Sequence, residues 1–260
     1  LVRSRGLGDV YKRQVRYLIV SDIHANWEAL EAVLEEVHGA YETILCCGDL
    51  VGYGADPNRV VQWARENCAA VVRGNHDKAS VGLEDLEWFN PVARSAALWT
   101  EQALSVENLS YLRALPQGPL RLDSFQLFHG SLLDEDEYLV SALAAAELAQ
   151  YVEVGVSFFG HTHIQGAFVL AEQEIGWLEK PEAEQDRVVL VTEDAVRYLI
   201  NPGSVGQPRD NDPRAAYALY APEERRVELR RVPYPVELAQ AKILRAGLPE
   251  VLAERLAWGS

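Results

Sequence analysis

Tyr17-Leu18-Ile19-Val20-Ser21-Asp22-Ile23-His24 decides the fold: four apolar residues, two of them β-branched, run straight into an Asp-x-His string. A short apolar run of this kind reads as a strand, and the polar string marks its carboxyl end. The same order recurs twice downstream. Thr43 to Cys47 leads into Gly48-Asp49, and Ala70-Val71-Val72 leads into Gly74-Asn75-His76-Asp77. Between the first two strands, Trp27, Leu30, Val33, Leu34 and Val37 fall at helical spacing, closed by Gly39. Between the second and third, Asp56-Pro57 starts a helix whose apolar face is Val60, Val61 and Ala64. A β-α-β-α-β order predicts parallel strands with right-handed crossovers. Open sheets of this type bind ligands beyond the carboxyl ends of their strands, where Asp22, Asp49 and Asn75 lie.

Outward from this core, Lys78 to Leu115 reads as mainly helical, with starts at Asn90-Pro91 and Ser105 and a stripe of Ala97, Leu98 and Leu104. It is expected over the strand ends as a cap or side wall, or else as packing helices with no substrate role. The second half is richer in strands: Leu120 to Leu122, Phe125 to Phe128, Val154 to Phe159, Ala167 to Leu170, Val188 to Val191, Arg197 to Ile200, Ala216 to Tyr220 and Val227 to Arg231. Gln173 to Arg187 is polar and acidic and reads as a surface hairpin excursion. Val236 to Trp258 holds two short amphipathic helices around Gly247-Leu248-Pro249. With no repeat and no low-complexity linker, residues 15–260 are expected to form a single domain. Leu1 to Gln14 is basic and aperiodic, its part from Arg5 to Gln14 resembles translated adapter sequence, and it is expected to be a non-native, disordered leader.

The chain has 260 residues and a formal net charge of -15. That balance argues against general electrostatic binding to nucleic acid or anionic membrane, because phosphate affinity comes mainly from Lys and Arg. No apolar stretch approaches the ~18 residues of a membrane span, and no secretory signal is expected. Cys46, Cys47 and Cys68 are odd in number, and the adjacent pair points to opposite strand faces. They are expected as reduced thiols of a cytoplasmic protein.

Five of the six histidines sit in the Asp/Gly/Asn-rich strings, which continue with His129-Gly130 and Gly160-His161-Thr162-His163. Strand ends brought together would collect carboxylate, amide and imidazole groups, the composition of a site for two transition-metal ions. A dinuclear site needs one bridging group, and Asp49 is best placed for it. Asp22 and His24, two apart on an extended segment, are expected to share a face and hold one ion; His161 and His163 are expected to share a face for the same reason, each serving a different ion. Asn75 offers a carbonyl oxygen, and His129 completes the ligand set of the second ion. Mixed nitrogen and oxygen donors suit manganese, iron, zinc, cobalt or nickel. His38, at the end of the first helix, reads as a surface cation favoured by the helix dipole. Asp134-Glu135-Asp136-Glu137 reads as a solvated acidic turn that can repel highly anionic substrates.

Together and in this order, Asp22-x-His24, Gly48-Asp49, Gly74-Asn75-His76-Asp77, His129 and Gly160-His161-x-His163 resemble the signature of the calcineurin-like metallophosphoesterases. Asn201-Pro202-Gly203-Ser204-Val205-Gly206-Gln207-Pro208-Arg209 looks like a loop of small bacterial phosphodiesterase-like members. The resemblance implies an α/β, four-layer αββα sandwich of two mixed sheets with the metals at one rim. It implies that Asp22, His24, Asp49 and His163 bind one ion, and Asp49, Asn75, His129 and His161 the other. The implied activity is hydrolysis of a small phosphodiester or phosphomonoester by a metal-bridging hydroxide. His76 would stabilise charge at phosphorus or protonate the leaving oxygen, with Asp77 orienting its ring. Protein phosphatases of the superfamily carry an Asp-Arg pair where this chain has Gly52-Tyr53, which weakens a phosphoprotein reading. Arg209, and less directly Arg73 and Tyr53, are the candidate substrate contacts. Alternatives are a dinucleoside-polyphosphate or phosphoprotein phosphatase, or a binding scaffold on the same fold. Such scaffolds typically lose ligands that this chain retains.

Overall fold

Leu18, Ile19 and Val20 are each fully buried, because their strand is covered on both faces. Each contributes about 1.5–3 kcal/mol by leaving water. Alternation sends Leu18 and Val20 to one apolar cluster and Ile19 to another, so this one strand separates two cores. In the computed structural model, residues 15–260 are described apart from Gln173 and the side chain of Trp88, so the expectation for Leu1 to Gln14 lies outside the described residues.

The chain runs β1 (Tyr17–Val20), α1 (Trp27–Glu36), β2 (Thr43–Cys46), α2 (Pro57–Asn67), β3 (Cys68–Val71), α3 (Asn75–Ala79), α4 (Pro91–Ala103) and α5 (Val106–Arg113). It continues with β4 (Leu120–Arg121), β5 (Phe125–Leu127), α6 (Ala142–Leu148), β6 (Val156–Phe158), β7 (Gly166–Leu170), β8 (Ile175–Glu179), β9 (Arg187–Val191) and β10 (Arg197–Asn201). The last elements are β11 (Ala215–Ala221), β12 (Arg226–Val232), α7 (Val236–Arg245) and α8 (Glu250–Glu254). Two six-stranded mixed sheets result, ordered β3-β2-β1-β11-β12-β9 and β4-β5-β6-β10-β7-β8. β1, β2 and β3 are parallel, as the alternating pattern requires.

Between the sheets, Ile19, Leu45, Cys47 and Val72 meet Phe125, Phe158, Tyr198 and Ile200. Outside the first sheet, α1, α2, α7 and α8 cover Leu18, Val20, Ile44 and Cys46. Outside the second, α6 covers Phe159, Phe168 and Leu199. The layers are therefore αββα. Cys46 faces the helices and Cys47 the inter-sheet core, and all three cysteines are free.

One expectation is corrected. Gln173 to Arg187 is no hairpin: β8 edges the second sheet beside β7, and the chain then crosses to put β9 on the edge of the first, beside β12. The segment's polar look comes from the largely exposed connection 180–186 and the solvent-facing side of β8. α6 was not expected at all. No helix among the described residues is long and apolar enough to cross a membrane.

Candidate metal centre

Five expected ligands hold left-handed backbone: Asp22 (φ 52°), His24 (49°), Asp49 (55°), His161 (66°) and His163 (59°). Each costs about 1–2 kcal/mol for a residue with a Cβ, and such strain collects at functional sites. The side chains thus converge through tight turns, and not, as the spacing suggested, by sharing the face of an extended segment. Neighbouring loops hold the turns. Asp22 N–H donates to Gly48 O (2.9 Å) and His24 N–H to Asp49 O (3.0 Å), while Gly206 N–H donates to Asp22 O (3.0 Å). Ser204 Oγ donates to Asp22 O (2.7 Å), and Asn201 Nδ2 clamps Gly160 O and Thr162 Oγ1 (both 2.9 Å). The motif glycines are steric necessities: a Cβ at Gly74 would collide with Asp49 Oδ1, and one at Gly160 with Ser21 Oγ.

Two groups of buried donor atoms come together, Asp22, His24, Asp49 and His163 in one and Asp49, His129 and His161 in the other, with each group's atoms within 4.8 Å of one another. Asp49 belongs to both. Asn75 Oδ1 joins the second, 3.2 Å from His129 Nε2. Every ring is oriented by a carbonyl, which can only accept. His24 Nδ1 donates to Val51 O (2.9 Å), His129 Nδ1 to Cys47 O (2.8 Å) and His163 Nδ1 to Gln207 O (2.5 Å), which leaves Nε2 of each as a lone-pair donor. His161 is reversed: its Nε2 donates to Asp136 O (3.1 Å), leaving Nδ1.

The result is a set of unpaired lone pairs. His24 Nε2 and His163 Nε2 face each other at 3.0 Å. Asp49 Oδ1 accepts the His76 N–H (2.9 Å), whereas its buried Oδ2 has no hydrogen-bond partner. His24 Nε2 and His129 Nε2 flank that oxygen at 3.6 and 3.5 Å, beyond normal hydrogen-bond length. A buried, unpaired carboxylate oxygen is costly unless a cation satisfies it. The donor set fits divalent transition ions.

Burial pushes His24 and His163 well below the usual imidazole range and His161 down to about 3, so all three are neutral ligands at pH 7. Burial alone would raise Asp49, but the imidazoles around it, His129 foremost, overcome this and hold it ionised. His129 is the converse: burial opposes its charge, Asp49 outweighs burial, and it rises to about 10. The proton so favoured on His129 is the one a cation would displace.

Beside this cluster opens a cleft of about 360 Å³, lined by Tyr53, Asn75, His76, Phe89, Asn90, Tyr138 and His161 among others. The helical segment after Lys78 is therefore a side wall, through Phe89, Asn90 and Ala93. His76 lines the cleft with its Nδ1 buried and unpartnered, and burial lowers it to about 4. Asp77 does not orient that ring. It accepts the backbone N–H groups of Asp49 (2.9 Å), Gly74 (3.0 Å) and Val51 (3.3 Å), clasping the loop that carries Asp49. Tyr53 lies against both His24 and His76, with ring centroids 4.7 and 4.3 Å away, and accepts a 3.3 Å bond from Arg209 Nη2. Arg209 Nε is buried without a partner. Arg73 is not brought to the cleft, because its guanidinium fork is engaged by Glu135 at 2.9 and 2.8 Å. His38 is exposed.

The acidic turn is more than a solvated one. Lys78 is only 5 % exposed, with its Nζ 2.9 Å from Glu84, 3.1 Å from Glu135 and 2.7 Å from Asp136. The same turn supplies the carbonyl that orients His161. Sequence reasoning missed Tyr138, Phe89 and Lys78; only Lys78, directly after Asp77, adjoins a motif.

Stacked mixed sheets that present buried aspartate and histidine ligands at strand ends define a metal-dependent phosphoesterase frame. The profile described as calcineurin-like phosphoesterase superfamily domain matches residues 15–225, and the chain belongs to that family. It is 38 % identical over 248 residues to the uncharacterized protein MJ0912 of Methanocaldococcus jannaschii, covering 93 % of this chain and 97 % of that protein. A metallophosphoesterase from Sphaerobacter thermophilus, solved by crystallography, is 40 % identical with a TM-score of 0.83, covering 95 % of this chain and 99 % of that one. The hypothetical protein PH1004 of Pyrococcus horikoshii shares the fold at 18 % identity, with a TM-score of 0.74 and coverage of 95 % and 99 %. Since one of these relatives is archaeal, the likeness is not confined to bacterial members.

Proposed function

We propose that the chain hydrolyses small phosphate esters, diesters or monoesters, at the cluster centred on Asp49. The observation that carries this reading is Asp49 Oδ2: buried, unpartnered, and flanked by the Nε2 atoms of His24 and His129 from the two ligand groups. Two divalent transition ions (manganese, iron, zinc, cobalt or nickel) would supply an activated water and polarise the phosphoryl oxygens. Asp22, His24, Asp49 and His163 would hold one, and Asp49, Asn75, His129 and His161 the other. His76, neutral because it is buried, would serve as an N–H donor to charge developing on the phosphoryl or leaving oxygen. Arg209, with its unpartnered Nε beside Tyr53, would contact a phosphate oxygen.

Low-charge substrates are favoured over polyphosphates, because Glu84 and Asp136 line the cleft and Lys78 is shared between them. Gly52-Tyr53, in place of an Asp-Arg pair, disfavours phosphoproteins. Three free cysteines fit a reducing cytoplasm. The test is hydrolysis of bis(p-nitrophenyl) phosphate and p-nitrophenyl phosphate with manganese, before and after chelation. Turnover that chelator abolishes and metal restores is expected. No turnover from protein shown by elemental analysis to carry its ions would eliminate the catalytic reading and leave a binding scaffold.

A further inference from the structure

The cleft has two aromatic walls outside the ligand set: Phe89, whose other side packs against the core over the first sheet, and Tyr138, which no core requires. Tyr138 lies over His161, ring centroids 3.9 Å apart and planes at 36°, yet it is 52 % exposed and belongs to none of the three apolar clusters. Across the same cleft, Phe89 sits edge-on to His76 at 5.6 Å and 79°. Beside it, Asn90 uses its Oδ1 to cap α4 at the Ala93 N–H (2.9 Å), so what it can offer a ligand is its amide N–H groups.

Tyr138 is held in place. Ser131 Oγ accepts the Leu133 and Asp134 N–H groups at the start of its loop, and Asp136 O accepts from His161 Nε2 two residues before it. Lys78 and Arg73 pin Asp136 and Glu135. An aromatic ring fixed on one side to a ligand imidazole, with half its surface still open, is a preorganised stacking platform.

We propose that this cleft selects phosphate esters whose alcohol carries a flat aromatic ring, the ring stacking on Tyr138 and meeting Phe89 while the phosphate sits at the Asp49 cluster. The proposal rests on the phosphoesterase reading and names the substrate class of that site. A volume of about 360 Å³ falls within the roughly 300–1,000 Å³ of small-molecule sites. The carboxylates Glu84 and Asp136 on the wall disfavour further phosphates on the leaving side, so the ring belongs to an aryl or nucleoside ester of a single phosphate.

Non-hydrolysable ligands remove the bias of a good leaving group. Calorimetric binding of methylphosphonate, phenylphosphonate and a nucleoside phosphonate to the manganese-loaded protein should show at least one ring-bearing ligand bound roughly tenfold more tightly than the methyl compound. Whichever ring compound binds more tightly reports how far the ring lies from the phosphate. In Tyr138→Leu the preference should shrink to within about threefold, and Tyr138→Phe should keep it. Phe89→Leu is a second, independent lowering. Equal affinity for all three ligands, or a preference that survives both leucine variants, would overturn the proposal. Ring preference without turnover of any ester would retain this subsite and remove the hydrolytic reading; turnover without ring preference would do the reverse.

Discussion

The two halves of the Asp49 cluster are held by different forces. Asp22, His24 and His163 are fully enclosed, and their rings lean on carbonyls of loops stitched to each other by backbone hydrogen bonds. Ala25 N–H donates to Leu50 O (2.9 Å), Gly54 N–H to His24 O (3.0 Å) and Arg209 N–H to His163 O (3.2 Å). In the other half, Asn75 is only half-buried, and His161 leans on a turn fixed by Lys78, Arg73 and three carboxylates. Backbone bonds within such loops are indifferent to salt, whereas a partly exposed ion cluster is not. The first half is therefore a rigid seat and the second a charge-dependent one, open to the cleft.

Removing what the halves share should erase the distinction. Asp49→Ala takes away the one oxygen placed for both groups, so both ions should be lost together. Turnover should fall by roughly 10³-fold or more, the several kcal/mol of charge stabilisation that metal ions supply. Elemental analysis alongside kcat checks this; an Asp49→Ala protein that retains one tightly bound ion would show that the halves are independent. His76→Ala should instead leave metal content unchanged and lower kcat by about 10²–10³-fold, because His76 faces the cleft and ligates in neither half.

Lys78→Met separates the halves. It leaves Glu84, Glu135 and Asp136 without their common cation and should loosen the carbonyl of Asp136 on His161. Affinity for one of the two ions should drop about 10–100-fold, the usual effect of disturbing a group that orients a ligand. Affinity for the other should hold. A metal titration showing both affinities falling equally would refute the contrast.

The same contrast marks what could be read from the chain. The ligands were legible because their motifs follow apolar strands and three of them, Asp49, Asn75 and His161, directly follow a glycine, so local order encodes the site. Their left-handed turns were not, since Asp22 and His24 carry no glycine to announce positive φ. The charged seat was hidden for another reason. Arg73 lies 62 residues from Glu135, and Lys78 lies 58 from Asp136, so an acidic turn read locally looks solvated. Arg73, a candidate phosphate contact by local sequence, has a carboxylate for its partner. β8 was masked by the polar segment around it, whereas β9 was legible from Val188 to Val191 and α4 and α5 from caps at Asn90 and Ser105 that the structure keeps.

The smallest expected effect, visible only in chelated protein, is that Asp22 in one half and Glu135 in the other respond to pH with opposite sign. Burial, the main cause, raises Asp22 from its ordinary value near 3.8 to about 7. Folding then opposes its ionisation, so stability should decline as pH climbs from about 4 to 7. Burial opposes ionisation of Glu135 too, but hydrogen bonds from Arg73 and Lys78 outweigh it and hold the group below its ordinary 4.5. Its contribution is present above that value and is lost as pH falls through the lowered one. In EDTA, Asp22→Asn should therefore gain stability over the native chain as pH rises from 4 to 7, while the deficit of Glu135→Gln should close below about pH 4.5. Urea midpoints measure both. Restoring metal should abolish the advantage of Asp22→Asn, because an ion that needs the ionised carboxylate reverses the sign of that linkage. An Asp22→Asn protein less stable than native at pH 7 in chelator would mean that the enclosed half does not resist the charge it is built to offer a cation.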